Sequence, residues 1–252
     1  MSVTGVPLAT ADHARLVAAT AANLAGWHDL NLVALGHRTA WQDGWWLTPD
    51  DVPGIFFRAI AVRPGADPRA PVAICHDRSW MAACDPWSEL PLDRHGLEME
   101  ADRPWMMRPA GPVPRLPDPD RIAIARVADV AGLEAYERAA AIGFGAAVQP
   151  PHTWHAPPLL ADPRSHLWLA TEDAVPVGTA NGFREASVLG VYSVSTIPGA
   201  RRRGLGSALT ARTVAAAPDL PAVLQPSEMA EAMYRRLGFA RFTTFRTWTR
   251  RP

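Results

Sequence analysis

Ser193-Val194-Ser195-Thr196-Ile197-Pro198-Gly199-Ala200-Arg201-Arg202-Arg203-Gly204-Leu205-Gly206-Ser207-Ala208-Leu209 joins a strand-like segment to a helical one through a basic turn and two glycines. Pro198 and Gly199 turn the chain, and Gly204 and Gly206 open the helix. Glycines let a backbone approach a ligand without interference from Cβ. The first turn of a helix also presents unpaired N–H groups at the positive end of its dipole. Together these make a cradle for phosphate oxygens, to which a neighbouring arginine adds a charge-assisted contact. Two rival phosphate motifs fail. A Walker loop needs Gly-Lys-Ser/Thr where Gly204 is followed by Leu205, and a dinucleotide fingerprint needs a third glycine where Leu209 stands.

Outward from this junction the second half of the chain is regular. Alternation predicts strands over Arg121–Val127, His166–Thr171, Val175–Gly182, Ser187–Ile197, Ala222–Gln225 and Ala240–Thr249. Helical spacing predicts helices over Asp129–Ile142, Gly204–Ala217 and Ser227–Leu237, the last stopped by Gly238. A proline-rich loop covers Gln149–Pro163. A second proline-dense stretch, from Arg103-Pro104 to Pro119, cannot sustain a helix or a central strand and reads as an extended linker. It divides the chain into 1–110 and 120–252, with 111–119 between.

The first half predicts a helix over Ala11–Leu24 and strands near His37–Leu47, Phe56–Val62 and Val72–Cys75. It carries most of the ten tryptophans, including Trp41, Trp45 and Trp46, which read first as core and hairpin packing and second as an aromatic substrate wall. Leu92-Asp93-Arg94-His95-Gly96-Leu97 before Trp105 echoes Tyr234-Arg235-Arg236-Leu237-Gly238-Phe239 before Phe245. Both suggest a closing helix, a glycine stop and a terminal strand, as an internal duplication would leave.

Composition narrows the function. Apolar residues make up 48% and charged residues 20%, enough to bury a core. The net charge is zero, and the dense basic runs are Arg201–Arg203 and Arg250-Arg251, too little for a nucleic-acid partner. All 25 basic side chains are arginine. That excludes a Schiff-base or phosphate-loop lysine. Cys75 and Cys84 form no metal pattern and read as buried thiols in a reducing compartment. Neither a secretion signal nor a run long enough to span a membrane is visible, so a cytoplasmic protein without a membrane partner is expected.

The junction resembles motif A of the GNAT N-acetyltransferase superfamily, Gln/Arg-x-x-Gly-x-Gly/Ala, here Arg201-x-x-Gly204-x-Gly206. The segment from Leu224 to Phe239 resembles its motif B. The resemblance covers most of 120–252 and implies an α/β fold, a mixed central sheet flanked by helices. By inference 1–110 would be a degenerate second copy of it or an accessory α/β domain. It further implies that the backbone of Val194, Ser195 and Thr196 pairs with the pantetheine arm of acetyl-CoA. The amides of Arg202, Arg203, Gly204, Leu205, Gly206 and Ser207, with Arg201 beside them, would hold the pyrophosphate. Ser227 would contact the pantetheine arm, and Tyr234 would be the general acid. Seven residues apart, Ser227 and Tyr234 would share a helix face. The competing reading of Tyr234 is core packing, since Ala230, Met233, Tyr234 and Leu237 form an apolar stripe.

The pattern departs from the superfamily where a base is needed. Gly190 and Ala222 stand where some members carry carboxylates. Glu172, Glu185 and Tyr192 remain as candidates, as does a water relay. His152 and His155 lack a third metal ligand, so no metal is expected and the pair reads as loop residues with at most a substrate-side role. Without a nucleophile motif, direct transfer from acetyl-CoA to a primary amine in a ternary complex is expected, the acceptor a small molecule or peptide. A non-catalytic acyl-CoA sensor or scaffold and a tryptophan-rich interaction module are the alternatives. An oligomer is compatible with either.

Overall fold

The computed structural model describes residues 10–75, 79–114, 116 and 119–250. In chain order the first half forms α1 (Thr10–Ala34), β1 (Ala40–Gln42), β2 (Trp45–Leu47), β3 (Ala59–Ala61), α2 (Arg69–Ile74), β4 (Ser79–Asp85) and β5 (Glu98–Arg108). The second half forms β6 (Ile122–Arg126), α3 (Val130–Phe144), β7 (Ser165–Glu172), β8 (Val175–Glu185), β9 (Val188–Thr196), α4 (Leu205–Ala215), β10 (Ala222–Leu224), α5 (Glu231–Arg236) and β11 (Ala240–Arg250).

The eleven strands among the described residues join one mixed sheet in the order β1-β2-β3-β4-β11-β5-β10-β9-β8-β7-β6. The terminal strands of the halves are exchanged. β5 leaves the first half to pair antiparallel with β10, and β11 leaves the second to pair antiparallel with β4. The two then pair with each other from Ala240↔Met107 to Thr249↔Glu98. On either side the sense of pairing repeats: β3 is parallel to β4 as β9 is to β10, and the strands beyond are antiparallel. Gly96 and Gly238 stop the segments before β5 and β11 with φ of 85° and 88°. The echo in the sequence thus coincides with a matching place in the sheet.

One apolar cluster crosses the boundary between the halves, bringing Ala21, Leu24, Trp27 and Leu32 of α1 together with Trp46, Phe56, Ile60, Trp105, Phe183 and Phe245. Helices α1 and α3 both pack on β8 and β9. Helix α4 lies on the opposite face, where Gly178 and Gly182 meet Leu205, Leu209 and Thr213. Cys75 and Cys84 are free, buried thiols.

Several sequence expectations are corrected. The first helix runs ten residues past Leu24, through Gly26, because a Cβ at Gly26 would lie 2.5 Å from Glu185 Oε2; here glycine permits close packing and does not break the helix. The strand expected over His37–Leu47 is two strands, turned at Asp43 and Gly44, both with positive φ, as a two-residue hairpin requires. Val72–Cys75 lies largely in α2, not in a strand: Pro68 and Pro71 suit a helix's first turn, where no N–H is needed. Strand β4 went unrecognised. The proline stretch is strand as far as Arg108. Pro104 is tolerated because β10 begins its pairing only at Met106, so β5 has a registered neighbour on one side there. Beyond it, Gly111 N–H donates to Pro218 O, and Arg108 donates to the carbonyls of Leu237, Pro109, Gly111 and Pro112. In the expected linker, residues 115, 117 and 118 lie outside the described residues.

The exchange makes each half depend on the other. A chain starting at residue 111 lacks the strand that fills the space between β10 and β11. It is expected to be insoluble or to unfold without cooperativity, and co-expression with residues 1–110 should restore a cooperative transition. A soluble, cooperatively unfolding 111–252 fragment would contradict the exchange.

Candidate active site

Strands β9 and β10 share register only at Ala222↔Leu189 and Val223↔Gly190. Beyond Gly190, β9 continues to Thr196 with β8 alone in register beside it. A bulge bends it: between Asn181↔Tyr192 and Thr179↔Ser195, β8 advances two residues and β9 three, with Ser193 at φ 51°. Such an extra residue breaks the ladder and re-aims the strand. Thr179 Oγ1 pins the bulge through Ser193 O (2.8 Å) and Ser195 Oγ (2.7 Å). The two parallel strands therefore part and leave backbone of β9 open.

The junction follows directly. Gly204 is the N-cap of α4 with φ 81° and no capping side chain, a conformation that favours glycine, so the amides of the first turn have no side-chain acceptor. Arg201 is a strut: it donates to Thr196 O (3.2 Å) and to Gly143 O at the end of α3 (2.9 Å). Arg202 is exposed at φ 62°. Arg203 pairs with Glu172 (2.7 and 2.8 Å). Leu205 is buried beneath the turn, and a Cβ at Gly206 would come within 3.1 Å of Met233 Sδ. Gly204, Ser207, Arg203 and Arg236 line an outer cavity of about 660 Å³ with Asp120 and the connector residues Pro114, Leu116 and Pro119. Bare helix amides, a hydroxyl and two guanidinium groups suit a phosphate ester.

A second cavity, of about 360 Å³, lies where β9 and β10 part. Val194, Gln225, Ser227 and Tyr234 line it from the second half; Trp27, His28, Phe57, Arg103 and Trp105 line it from the first. Tyr234 is 5% exposed, and burial pushes its pKa up to about 12, so the phenol keeps its proton at neutral pH. His28 donates from Nδ1 to Leu24 O (2.8 Å), and burial nevertheless lowers its pKa to about 4, leaving it neutral.

The structure brings six of the twelve expected site residues to the lining of these two cavities but changes their settings. Val194, Ser227 and Tyr234 meet at the inner one; Arg203, Gly204 and Ser207 meet at the outer one. Ser195 is buried, with its hydroxyl on Thr179. Ser227 and Tyr234 do not share a helix. Helix α5 begins at Glu231, and Ser227 sits in the preceding turn, its carbonyl accepting from Ala230 and Glu231 N–H. Helix or turn, both side chains reach the same space.

None of the three base candidates is free for that role. Glu172 is held by Arg203, which lowers its pKa; Glu185 is paired with Arg164 (2.9 Å) and packed against α1. Neither lines the inner cavity. Tyr192 does, but its hydroxyl donates to Asn23 Oδ1 (2.7 Å), its ring stacks on Trp27, and burial raises its pKa. The bareness of Gly190 has the same cause. A Cβ there would collide with Asn23 Oδ1 and the Tyr192 ring, so a first-half helix fills the place a carboxylate would occupy. His152 and His155 lie against the middle of α3, where Glu137 accepts the N–H groups of residues 152, 154 and 155. They line neither of these two cavities, and no cluster of potential metal ligands occurs among the described residues.

The sequence suggested an aromatic wall from the first half but pointed to Trp41, Trp45 and Trp46, not to the residues that line the inner cavity. Trp27 and His28 lie on the part of α1 beyond the expected helix end, and Arg103 lies in the stretch read as linker. The tryptophan enrichment was the available signal.

Two expectations follow. Gly190→Ala should destabilise the protein by about 1–3 kcal/mol, the usual cost of overpacking, measured by chemical denaturation; unaltered stability would mean that Asn23 and Tyr192 do not close on that position. Burial raises the pKa of all three tyrosines, Tyr136, Tyr192 and Tyr234, above the ordinary value of about 10. A raised folded pKa gives stability that is intact below the unfolded value and fades as pH climbs towards the folded one. Spectrophotometric titration should therefore show phenolate only together with alkaline unfolding. Ionisation near pH 10 in the folded protein would contradict this.

Residues 119–239 match the family model described as acetyltransferase (GNAT) family. Among solved structures, a GCN5-related N-acetyltransferase from Kribbella flavida is 23% identical, with TM-score 0.62 over 90% of this chain and 95% of that one. A GNAT-family protein from Novosphingobium aromaticivorans is 21% identical, with TM-score 0.57 over 85% and 91%. At such identities the likeness is one of fold, and it embraces both halves. No curated protein sequence matches the chain. Residues 119–239, with the parted strands and the glycine-opened helix, form an acetyltransferase domain of the GNAT family.

Proposed function

We propose that the protein transfers an acetyl group from acetyl-CoA to a primary amine by direct attack within a ternary complex. The observation that carries this is the pair of cavities at the open end of β9, one flanked by bare helix amides and arginines, the other by Tyr234 and Ser227. Acetyl-CoA supplies the activated acyl carbon as a thioester. The first-turn amides of α4, with Ser207, Arg203 and Arg236, would bind its phosphates. The open β9 backbone at Val194–Thr196 would accept the pantetheine arm as an added strand, with Ser227 beside it; Arg201 already occupies Thr196 O, so the N–H groups carry that pairing. Tyr234, protonated at neutral pH, would donate to the departing sulfur. Residues 1–110 would act as an accessory or duplicated domain that walls the acceptor site. The enzyme would act in the cytoplasm on a small-molecule or peptide acceptor; no helix among the described residues is long and apolar enough to cross a membrane.

A non-catalytic acyl-CoA sensor is the second reading, favoured by the absence of any carboxylate among the described residues lining the inner cavity. Acetylation needs an amine that arrives neutral or loses its proton to water. Turnover should therefore rise with pH across the amine's own titration. A sensor would bind acetyl-CoA and release no thiol with any amine.

Calorimetry should detect acetyl-CoA binding to the full chain, and Gly204→Val should abolish it. Tyr234→Phe should lower kcat roughly 100-fold, the lower range for a general acid, with little change in acetyl-CoA affinity. Unchanged kcat would make Tyr234 a wall residue only.

A further inference from the structure

The inner cavity carries information about the acceptor. Its volume, about 360 Å³, falls at the small end of the roughly 300–1,000 Å³ of small-molecule sites. Its rings, Trp27, Phe57, Trp105, Phe144, Tyr192 and Tyr234, come from both halves. Among the described lining residues no Asp or Glu occurs, and the one charged side chain is Arg103. His28 is neutral and adds no second charge. Arg103 projects from β5, the exchanged strand. Its Nη2 donates to Glu100 Oε1 (3.1 Å) and its Nε to Thr247 Oγ1 (3.4 Å); neither bond uses Nη1. The pair with Glu100 is partly solvated, with side-chain exposures of 39% and 33%, so a carboxylate entering the cavity competes with a weak partner.

We propose that the acceptor is a small amino acid with an aromatic or bulky apolar side chain, acetylated on its amino group. Its ring lies among the aromatic walls and its carboxylate lies on Arg103. This rests on the acetyl-transfer reading. The ammonium loses a proton to solvent, the amine nitrogen forms a bond to the acyl carbon, and the carbon–sulfur bond breaks. CoA leaves as the thiol, so that one proton is released per turnover. Polyamines and other polycations are poor acceptors, since a wall without carboxylates offers their extra charges no partner and Arg103 repels them.

The test uses the full chain with acetyl-CoA and follows thiol release with phenylalanine, phenethylamine and spermidine. The expected order is phenylalanine first, with kcat/KM at least 10-fold above phenethylamine, since a charge-assisted pair is at stake. Spermidine comes last. Arg103→Gln, checked for an intact unfolding transition, should move the phenylalanine-to-phenethylamine ratio towards one. Should the variant fail to fold, calorimetric binding of the two ligands to the unaltered protein gives the same comparison. Equal use of the amino acid and its decarboxylated amine, or preference for spermidine, overturns the proposal. So does acetyl-CoA binding without turnover of any apolar amino acid, which leaves the cofactor reading standing. Failure to bind acetyl-CoA at all removes that reading and this one together.

Discussion

The pairing of β5 with β11 is the constraint on which the rest depends. Each strand belongs by sequence to one half and by hydrogen bonding to the other, and each supplies the neighbour that β10 or β4 lacks. With β5 holding its far edge, β10 ends at Leu224 while β9 runs on to Thr196, so the two diverge around an opening. The same pairing brings Arg103 and Trp105 to that opening and carries α1 across β8 and β9. An apolar cluster shared by both halves then makes the arrangement one core rather than two.

Within that frame the two cavities are chemically distinct. The outer one owes its character to backbone: a left-handed Gly204, an uncapped helix end and an arginine strut that fixes the turn against α3. The inner one owes its character to burial, which keeps Tyr234 protonated and His28 neutral. Asn23 and Tyr192 close off the position where some members of the superfamily carry a carboxylate. A site so built offers bare helix amides and guanidinium groups at one end, and aromatic walls with a single arginine among its described lining residues at the other.

The junction from Ser193 to Leu209 was legible because its information is local: alternation, a proline turn and two glycines in register. The strands and helices around it were legible for the same reason, to within a few residues at their ends. The first half was less so. Gly26 reads as a weak point in a helix, yet it exists to admit Glu185 from a strand far along the chain. Pro104 reads as linker, yet a strand accepts it where a neighbour is missing. Pro68 and Pro71 disguised a short helix. The bareness of Gly190 announced a missing base but not the asparagine that displaces it. For Gly26 and Gly190 the deciding partner lies more than a hundred residues away, and for Pro104 it is an edge that sequence does not mark, whereas the two prolines of α2 obey a local rule.

Exchange of closing strands commonly produces assemblies of separate chains, whose integrity varies with concentration. Here a single connector between Arg108 and Ile122 joins the two units, fastened at Gly111 to Pro218. The reciprocal embrace is therefore a first-order event. Dilution cannot dissociate it, and the wall that Trp27, Phe57 and Trp105 give to the inner cavity is present in every folded molecule.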